Sequence, residues 1–523
     1  MPAFQIKRRK DNLIITTYTI TVMDLNVKKF DLEAGKRFTV IMNERDMLSE
    51  RIHSGDRVTV TGPLDTLTAF VNSTKKVVKK GEIGLFQEVT EKTGLKNNDV
   101  AKIEFSSVPE SVHSIRRKMK GEKLTKEQIF HIVHDVVEQN LSEAEIAAFL
   151  VSQQTVGMGI EEVEYLTRAM ADYGEKANYD KTTFTKHSIG GVPGDSKVSL
   201  INVPIVAAGG IFIPKTSSRA ITSPSGTSDT MEVLSEVEFS IEEISNIAAK
   251  CNAALVWGGS LNMAPADDLL IRVERPLKLD PLSQMLASIM SKQIANDVDF
   301  MLLDLPVGKG AKVETEAEAR KMAASFRDLA DRLGISLRSV ITYGGQPVGH
   351  AIGPSLEAIE ALDTLSNKGP ASVTEKSIAL SGVMFEMGGL SANGQGKEMA
   401  KKIMTSGKAL KKFLEIVELQ GGDPKIKTSD IPVGDKTFDI LAKNDGYITS
   451  VSNDDICKIA HLAGAPKDKG AGIYLHRKVG YYAKQGEPLF TIYAESEKKL
   501  DDAIKHSLKR QPISIEGMII EEL

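Results

Sequence analysis

The sequence predicts a multidomain α/β protein: a small N-terminal β-barrel-like domain, a helical domain, an α/β domain and a C-terminal α+β domain. Three observations carry that expectation. The chain has 523 residues, and at roughly 100–200 residues per domain this is material for about three or four. Dense β-branched runs fill the front of the chain, whereas residues 125–170 show the apolar period of packed helices. From about 183 onward, short apolar runs alternate with glycine turns and helical stretches, the order of a sheet flanked by helices.

The elements follow in turn. Residues 13–23 (LIITTYTITVM), Phe38 to Met42 and Arg57 to Thr61 read as strands of a small barrel or sandwich over 1–85. The basic stretch Lys75 to Gly81 reads as a solvated edge before a linker, with polyanion binding as the other reading. A helical domain is expected over 103–175 with 265–297. Ile129, Ile132, Val133, Val136 and Val137 share one helix face, and Thr125 with Gln128 and Ser142 with Glu145 have the form of capping boxes. A third helix is expected from near Ile160. The α/β domain is expected over 176–264 with 298–420, its buried strands at Ile211–Pro214, Ala254–Trp257, Phe300–Asp304 and Ser339–Tyr343. The C-terminal domain is expected over 430–523, where Gly480 to Tyr493 looks like a hammerhead or barrel-sandwich element.

Composition excludes several function classes. Lys plus Arg number 66 and Asp plus Glu 70, a net charge of −4, which argues against a coat for nucleic acid or a membrane surface. Cys251 and Cys457 cannot build a disulfide framework, and no Cys/His cluster suggests a metal, so none is expected. No run approaches the ~18 apolar residues of a membrane span, and the N-terminus lacks a signal-peptide pattern. The expectation is a soluble cytoplasmic protein with small-molecule partners.

Four segments carry chemistry. Residues 184–199 (FTKHSIGGVPGDSKVS) run from strand through a glycine loop to a helix expected at Asp195 or Ser196. Such a loop lets backbone N–H groups and a helix N-terminus meet an anion, and Lys186 and Ser188 add a cation and a hydroxyl. Residues 215–232 hold nine Ser or Thr and two cations, so they read as a second phosphate loop with Arg219 pairing bidentately, or as a flexible polar loop. On a third segment, Ser288 and Lys292 share a helix face. Asp280 precedes that helix, and capping and catalysis stand as equal readings of it. Fourth, Val307 to Lys312 puts lysines on another glycine turn.

In this order the segments resemble the thymidine/pyrimidine-nucleoside phosphorylase family. Lys186-His187-Ser188-Ile189-Gly190-Gly191-Val192 resembles its phosphate signature, Ser217 to Glu232 its second signature, and Ser288-Ile289-Met290-Ser291-Lys292 its base-side helix. The chain departs from the nucleoside enzymes at Ala220, Ser223, Pro224 and Ser225, which stand where several of them have glycine. It also has an extra Pro193, an added β-rich front domain, and Val273 near the position of their base-contacting arginine. These features, with Thr216 to Pro224 read as TSSRAITSP, resemble the archaeal branch that acts on AMP.

The resemblance implies an α/β fold of nucleoside phosphorylase type and a pentosyltransferase. Such an enzyme converts AMP, with CMP and UMP as further substrates, and inorganic phosphate into free base and ribose 1,5-bisphosphate. It implies AMP contacts at Gly191, Ser218, Arg219, Ala220, Ile221, Thr222, Ser223, Thr227, Ser288, Lys292 and Lys312. Phosphate contacts fall at Lys186, His187, Ser188, Gly190, Ser217 and Thr227. Asp280 resembles the proton donor to the base, a role expecting a buried, raised pKa. No cofactor beyond phosphate and a homodimer or larger homo-oligomer are expected. A pyrimidine-nucleoside phosphorylase, a nucleotide-binding scaffold without catalysis and a phosphoribosyltransferase are the competing readings.

Overall fold

A computed structural model describes residues 4–9, 12–17, 22–35, 37–220 and 223–517. The chain divides into two compact units: Met1–Tyr173 with Pro265–Met285, and Gly174–Ala264 with Leu286–Leu523.

In the first unit, strands Val22–Lys29, Glu82–Leu85, Thr39–Asn43, Thr66–Thr74, Arg57–Thr61 and Val100–Ser106 close, in that order, into a six-stranded barrel. A barrel, not a sandwich, is therefore the form of the β-rich front. Two of its pairs are parallel: Val22–Lys29 with Glu82–Leu85, and Thr39–Asn43 with Thr66–Thr74. Alternation points Val58, Val60, Ala69, Val71, Ile83 and Ile103 inward as its core. The sequence reading ended the β-rich segment near 85; the strand Val100–Ser106 lies beyond it and closes the ring against Val22–Lys29 and Arg57–Thr61. Of the expected strand 13–23, Asn12–Thr17 is a strand paired with Phe4–Arg9; residues 18–21 lie outside the described residues. Lys75 to Gly81 turns between two barrel strands rather than preceding a linker.

Behind the barrel, helices Lys126–Val137 and Glu143–Thr155 begin at the expected capping boxes, and a third helix spans Ile160–Asp172. They bury the predicted stripe, with Ile129, Ile132, Val133 and Val136 inside. A buried pair, Lys118 Nζ to Glu162 Oε1 at 2.8 Å, is completed by the backbone N–H groups of Leu124 and Gly159 on the same carboxylate. Such pairing is what a charge requires to stay inside.

In the second unit, Ser336–Tyr343, Phe300–Val307 and Phe184–Ser188 form a parallel sheet, and Ile213–Ser217 pairs in parallel with Ala253–Trp257. A parallel bridge from Thr183 to Phe212 joins the two groups. Helix Ser196–Ala208 is buried from Lys197 to Ala207, which explains its nearly uninterrupted apolar sequence. A C-terminal pair of antiparallel sheets follows. The short strand Ala351–Ile352 adds to the first of them through Gly472–Leu475, so the α/β and C-terminal parts share a sheet edge.

Helix Leu282–Ala295 is divided between the units. Its first turn is tied to helix Glu143–Thr155, with Ser283 Oγ donating to Gln153 Oε1 at 2.8 Å. Its end packs under the α/β sheet: Ala177 N–H donates to Ala295 O, and Asn296 Nδ2 to Pro214 O at 2.9 Å. Ser288 and Lys292 thus belong to the unit that carries the glycine loop. No helix among the described residues is long and apolar enough to cross a membrane.

Candidate functional site

The site begins at strand Phe184–Ser188, which ends in Lys186-His187-Ser188. A turn then leads into helix Ser196–Ala208, as the spacing predicts. Gly191 has a φ of +88°, and a Cβ there would sit 2.5 Å from the Lys312 backbone nitrogen. Only glycine therefore lets this loop and the 307–312 turn touch. Gly191 and Lys312, both expected at the nucleotide, are brought together.

Four buried or nearly buried charges lie beneath the loop. Lys376 Nζ is 2.7 Å from Asp195 Oδ1 and 2.9 Å from Asp304 Oδ2; Lys186 Nζ is 3.6 Å from Asp304 and 3.9 Å from Asp195. Burial opposes the Asp195 carboxylate, but Lys376 and Lys186 hold it well below its ordinary range, and Ser188 bonds to it as well. Burial likewise opposes the Lys376 ammonium, yet Asp195 and Asp304 hold it above its usual value. This square is electrically balanced. It fixes Lys186 and Ser188 at the mouth of the helix N-terminus. Sequence reasoning missed Asp195, Asp304 and Lys376 as site residues; only Asp304 carries a signal, a charge inside the apolar run FMLLDLPV.

Lys215 breaks the balance. It is 4% exposed, and among the described residues no carboxylate pairs with it; it donates to the Thr216 carbonyl. Burial and the nearby Lys186 push its pKa down to about 7. His187 lies in the same field. Burial lowers its pKa well below the ordinary value, and Lys215, Lys186, Lys292 and Lys312 lower it further. The field of lysines from two strands, a helix and a turn thus disfavours a proton on this imidazole. Surplus positive charge at a glycine loop and helix N-terminus is what a phosphate dianion complements.

The hydroxyl-rich loop is held differently. Strand Ile213–Ser217 leads to it and helix Thr227–Met231 follows. Asp229 Oδ2 accepts the backbone N–H groups of Ala220 at 2.7 Å and Gly226 at 3.0 Å. Arg219 forms a fork with Glu232, at 2.7 and 3.0 Å, adds Glu238 at 2.8 Å, and lies 4.5 Å over the Trp257 ring. The guanidinium that the sequence offered to a phosphate is therefore engaged by carboxylates. Ser217 Oγ lies 2.9 Å from Ser228 Oγ, and Ser223 Oγ donates to Ser225 O. Ser218 is exposed. Ile221 and Thr222 lie outside the described residues.

The two loops meet. Thr227 Oγ1 donates to Ser196 O at 3.3 Å, and Ser196 Oγ lies 3.3 Å from Thr230 Oγ1. Behind that contact the fully buried Glu357 accepts from Ser196 Oγ, from Lys197 N–H and, through its other oxygen, from Gly353 N–H at 3.1 Å. Burial pushes the Glu357 carboxyl up to about 7, against the pull of Lys197. Lys197 is itself satisfied by Glu360 and the carbonyls of Val348 and Ala351.

Among the remaining predicted residues, Ser288 and Lys292 are half-buried and Lys312 is exposed. Asp280 is exposed and belongs to the first unit, so the burial expected of it is not present in this structure. A cavity of about 380 Å³ in the first unit, lined by Arg37, Arg57, Phe70, Glu145 and Arg272 among others, contains none of the predicted site residues.

Comparison with known proteins agrees with this architecture. Residues 112–174 match the glycosyl transferase family helical bundle domain, 180–410 its a/b domain, and 447–514 the pyrimidine nucleoside phosphorylase C-terminal domain. The chain is 48% identical to AMP phosphorylase of Thermococcus sibiricus over 96% of this chain and 99% of that protein. It is 49% identical to AMP phosphorylase of Pyrococcus furiosus over 95% and 98%. It is 48% identical to AMP phosphorylase 1 of Archaeoglobus fulgidus over 93% and 96%. Among solved structures, anthranilate phosphoribosyltransferase from Thermus thermophilus aligns at TM-score 0.48 and 16% identity, over 59% of this chain and 99% of that one. With relatives this similar along nearly its whole length, the chain belongs to the AMP phosphorylase family.

Proposed function

We propose that this chain catalyses the phosphorolysis of AMP, with CMP and UMP as further substrates, to give free base and ribose 1,5-bisphosphate. The observation that carries the reading is the glycine turn leading into helix Ser196–Ala208, with two buried lysines nearby, Lys186 in the charge square and Lys215 paired with no carboxylate among the described residues. Membership of a family whose relatives are named AMP phosphorylase supports AMP as the substrate.

In this reading an oxygen of inorganic phosphate attacks C1′ of the ribose while the bond from C1′ to the base nitrogen breaks. The electron pair of that bond leaves with the base, and a proton from Asp280, held there when the bound nucleotide shields that carboxyl from water, neutralises it. Lys186, His187, Ser188 and Gly190 orient the attacking phosphate, and Gly191 contacts the nucleotide. The loop from Ser217 to Thr227 offers hydroxyl and amide donors to the nucleotide, with Ser288 and Lys292 on the base side. The four-domain division read from the sequence, a cytoplasmic location, a homo-oligomeric assembly and the lack of any cofactor besides phosphate belong to the same proposal.

The test is phosphate-dependent base release from AMP, CMP, UMP, adenosine and thymidine, measured side by side. The highest kcat/KM is expected for AMP. A preference for either nucleoside over the 5′-monophosphates overturns the reading.

A further inference from the structure

We infer that Lys469, from the C-terminal part of the chain, is a positioning residue for the nucleotide loop. The inference rests on the reading that residues 217–227 hold the nucleotide.

Lys469 lies 240 positions after Asp229, inside the segment that matches the C-terminal domain. Its ammonium is 2.6 Å from Glu232 Oε2 and 3.4 Å from Asp229 Oδ1. These two carboxylates are the ones that shape the loop. Asp229 uses its other oxygen to receive the Ala220 and Gly226 N–H groups, which closes the loop across its base. Glu232 receives the Arg219 fork, and Arg219 is pressed on Trp257. One ammonium therefore bridges both anchors of the loop. Without it, Asp229, only 5% exposed, and Glu232 would face each other with less neutralising charge.

The backbone of Lys469 is itself fixed. Its carbonyl accepts from Ser355 N–H at 3.0 Å, at the start of the helix that carries Glu357. The adjoining Gly470 donates to Glu495 Oε1 and accepts from Gly434 N–H. Such a mounting delivers the cation at one place, as a positioning group requires. Burial works against the Glu232 carboxylate, yet Lys469 and Arg219 hold its pKa below the ordinary value, in keeping with a permanent pair. The C-terminal domain thereby takes part in the site without supplying a group that touches substrate.

The test uses the full chain with Lys469→Met and Lys469→Arg. In Lys469→Met, the KM for AMP should rise about tenfold or more, with the KM for phosphate changed less than about twofold, because the 188–196 loop keeps its own square of charges. Lys469→Arg should restore most of the loss. Equal effects on both KM values, or an unchanged KM for AMP, overturn the inference. Hydrogen exchange supplies a readout that does not depend on the substrate: the Ala220 and Gly226 amides should exchange faster in Lys469→Met, while those of helix Ser196–Ala208 keep their protection. Unchanged exchange at Ala220 and Gly226 also overturns it. If the wild-type enzyme preferred adenosine to AMP, the nucleotide reading would fall, and the exchange result would still decide whether Lys469 positions the loop.

Discussion

Two loops of the second unit share one plan, strand then turn then helix, and use charge in opposite ways. The 188–196 loop sits over a balanced square of Lys186, Lys376, Asp195 and Asp304 and then gains unpaired charge from Lys215. The 217–227 loop has its one arginine bound by Glu232 and Glu238, with Lys469 bridging to Asp229. The first arrangement leaves positive charge waiting for an anion. The second spends its charges on holding backbone and hydroxyl groups in place. The difference teaches that richness in polar residues does not mark an anion site. What sets the first loop apart is a buried cation left without a carboxylate among the described residues, beside a helix N-terminus.

The largest test addresses what neither loop supplies, a proton for the leaving base. Asp280→Asn should lower kcat by about 10²–10⁴-fold, the usual contribution of a general acid, while leaving the KM for AMP close to wild type. Near wild-type turnover would show that Asp280 is not the acid.

Lys215→Met should remove the unpaired charge that lies near Lys186. Losing a charge-assisted hydrogen bond of about 1.5–3 kcal/mol should raise the KM for phosphate about 10- to 150-fold. The same change should raise Tm at neutral pH, because a buried, unpaired ammonium is removed. The pH dependence has a definite sign. The folded pKa is about 7 against an ordinary 10.5, so the unfolded state binds more protons between those values. Stability from this group therefore rises with pH across that window, and its full cost is felt below pH 7. Phosphate affinity should move the other way, weakening above pH 7 as the ammonium is lost. Lys215→Arg should flatten that decline; an equal decline in both proteins would exclude Lys215 as its source.

Arg219→Lys should sharpen the contrast by touching only the second loop. A lysine cannot form the fork to Glu232 or stack flat on Trp257. The KM for AMP should rise about three- to tenfold with the KM for phosphate unchanged, consistent with the loss of one bidentate pair. Steady-state kinetics with each substrate varied separately checks this.

The smallest effect is expected at the junction of the loops. Glu357 has its pKa raised from 4.5 to about 7 by burial, so the folded state binds more protons in that window. Its contribution to stability falls as pH rises from about 4.5 to 7, and the cost is full above that. Glu357→Gln carries no charge to desolvate. The Tm of wild type relative to this variant should be higher at pH 5 than at pH 8, by a few degrees at most. A difference independent of pH would mean that the carboxyl is ionised throughout.

Much of the architecture was legible in the sequence because it is set locally. The capping boxes at Thr125 and Ser142 start helices where they stand, since a hydroxyl and an acid or amide three residues later satisfy free N–H groups without distant help. The start of helix Ser196–Ala208 and the glycine turn before it are likewise local. The barrel was less legible. Its closing strand, Val100–Ser106, pairs with residues at 22–26 and 57–61, and such register is invisible without the fold. Within the site, Lys186 and the glycines stand in a readable motif. Lys376, Asp304 and Lys469 do not, because each matters only through partners scores or hundreds of residues away.

By itself, then, the sequence determined which segments would form strand–loop–helix units and which residue types would stand at their mouths. Backbone preference and apolar period act over a few residues and leave their mark there. Only the tertiary structure decided which charges are neutralised. Arg219 reads as a free cation until Glu232 and Glu238 fold against it, and Lys215 reads as an ordinary lysine until burial strips it of water without supplying a carboxylate. Coulomb interactions and desolvation depend on distance in space and on burial, and neither quantity is written along the chain.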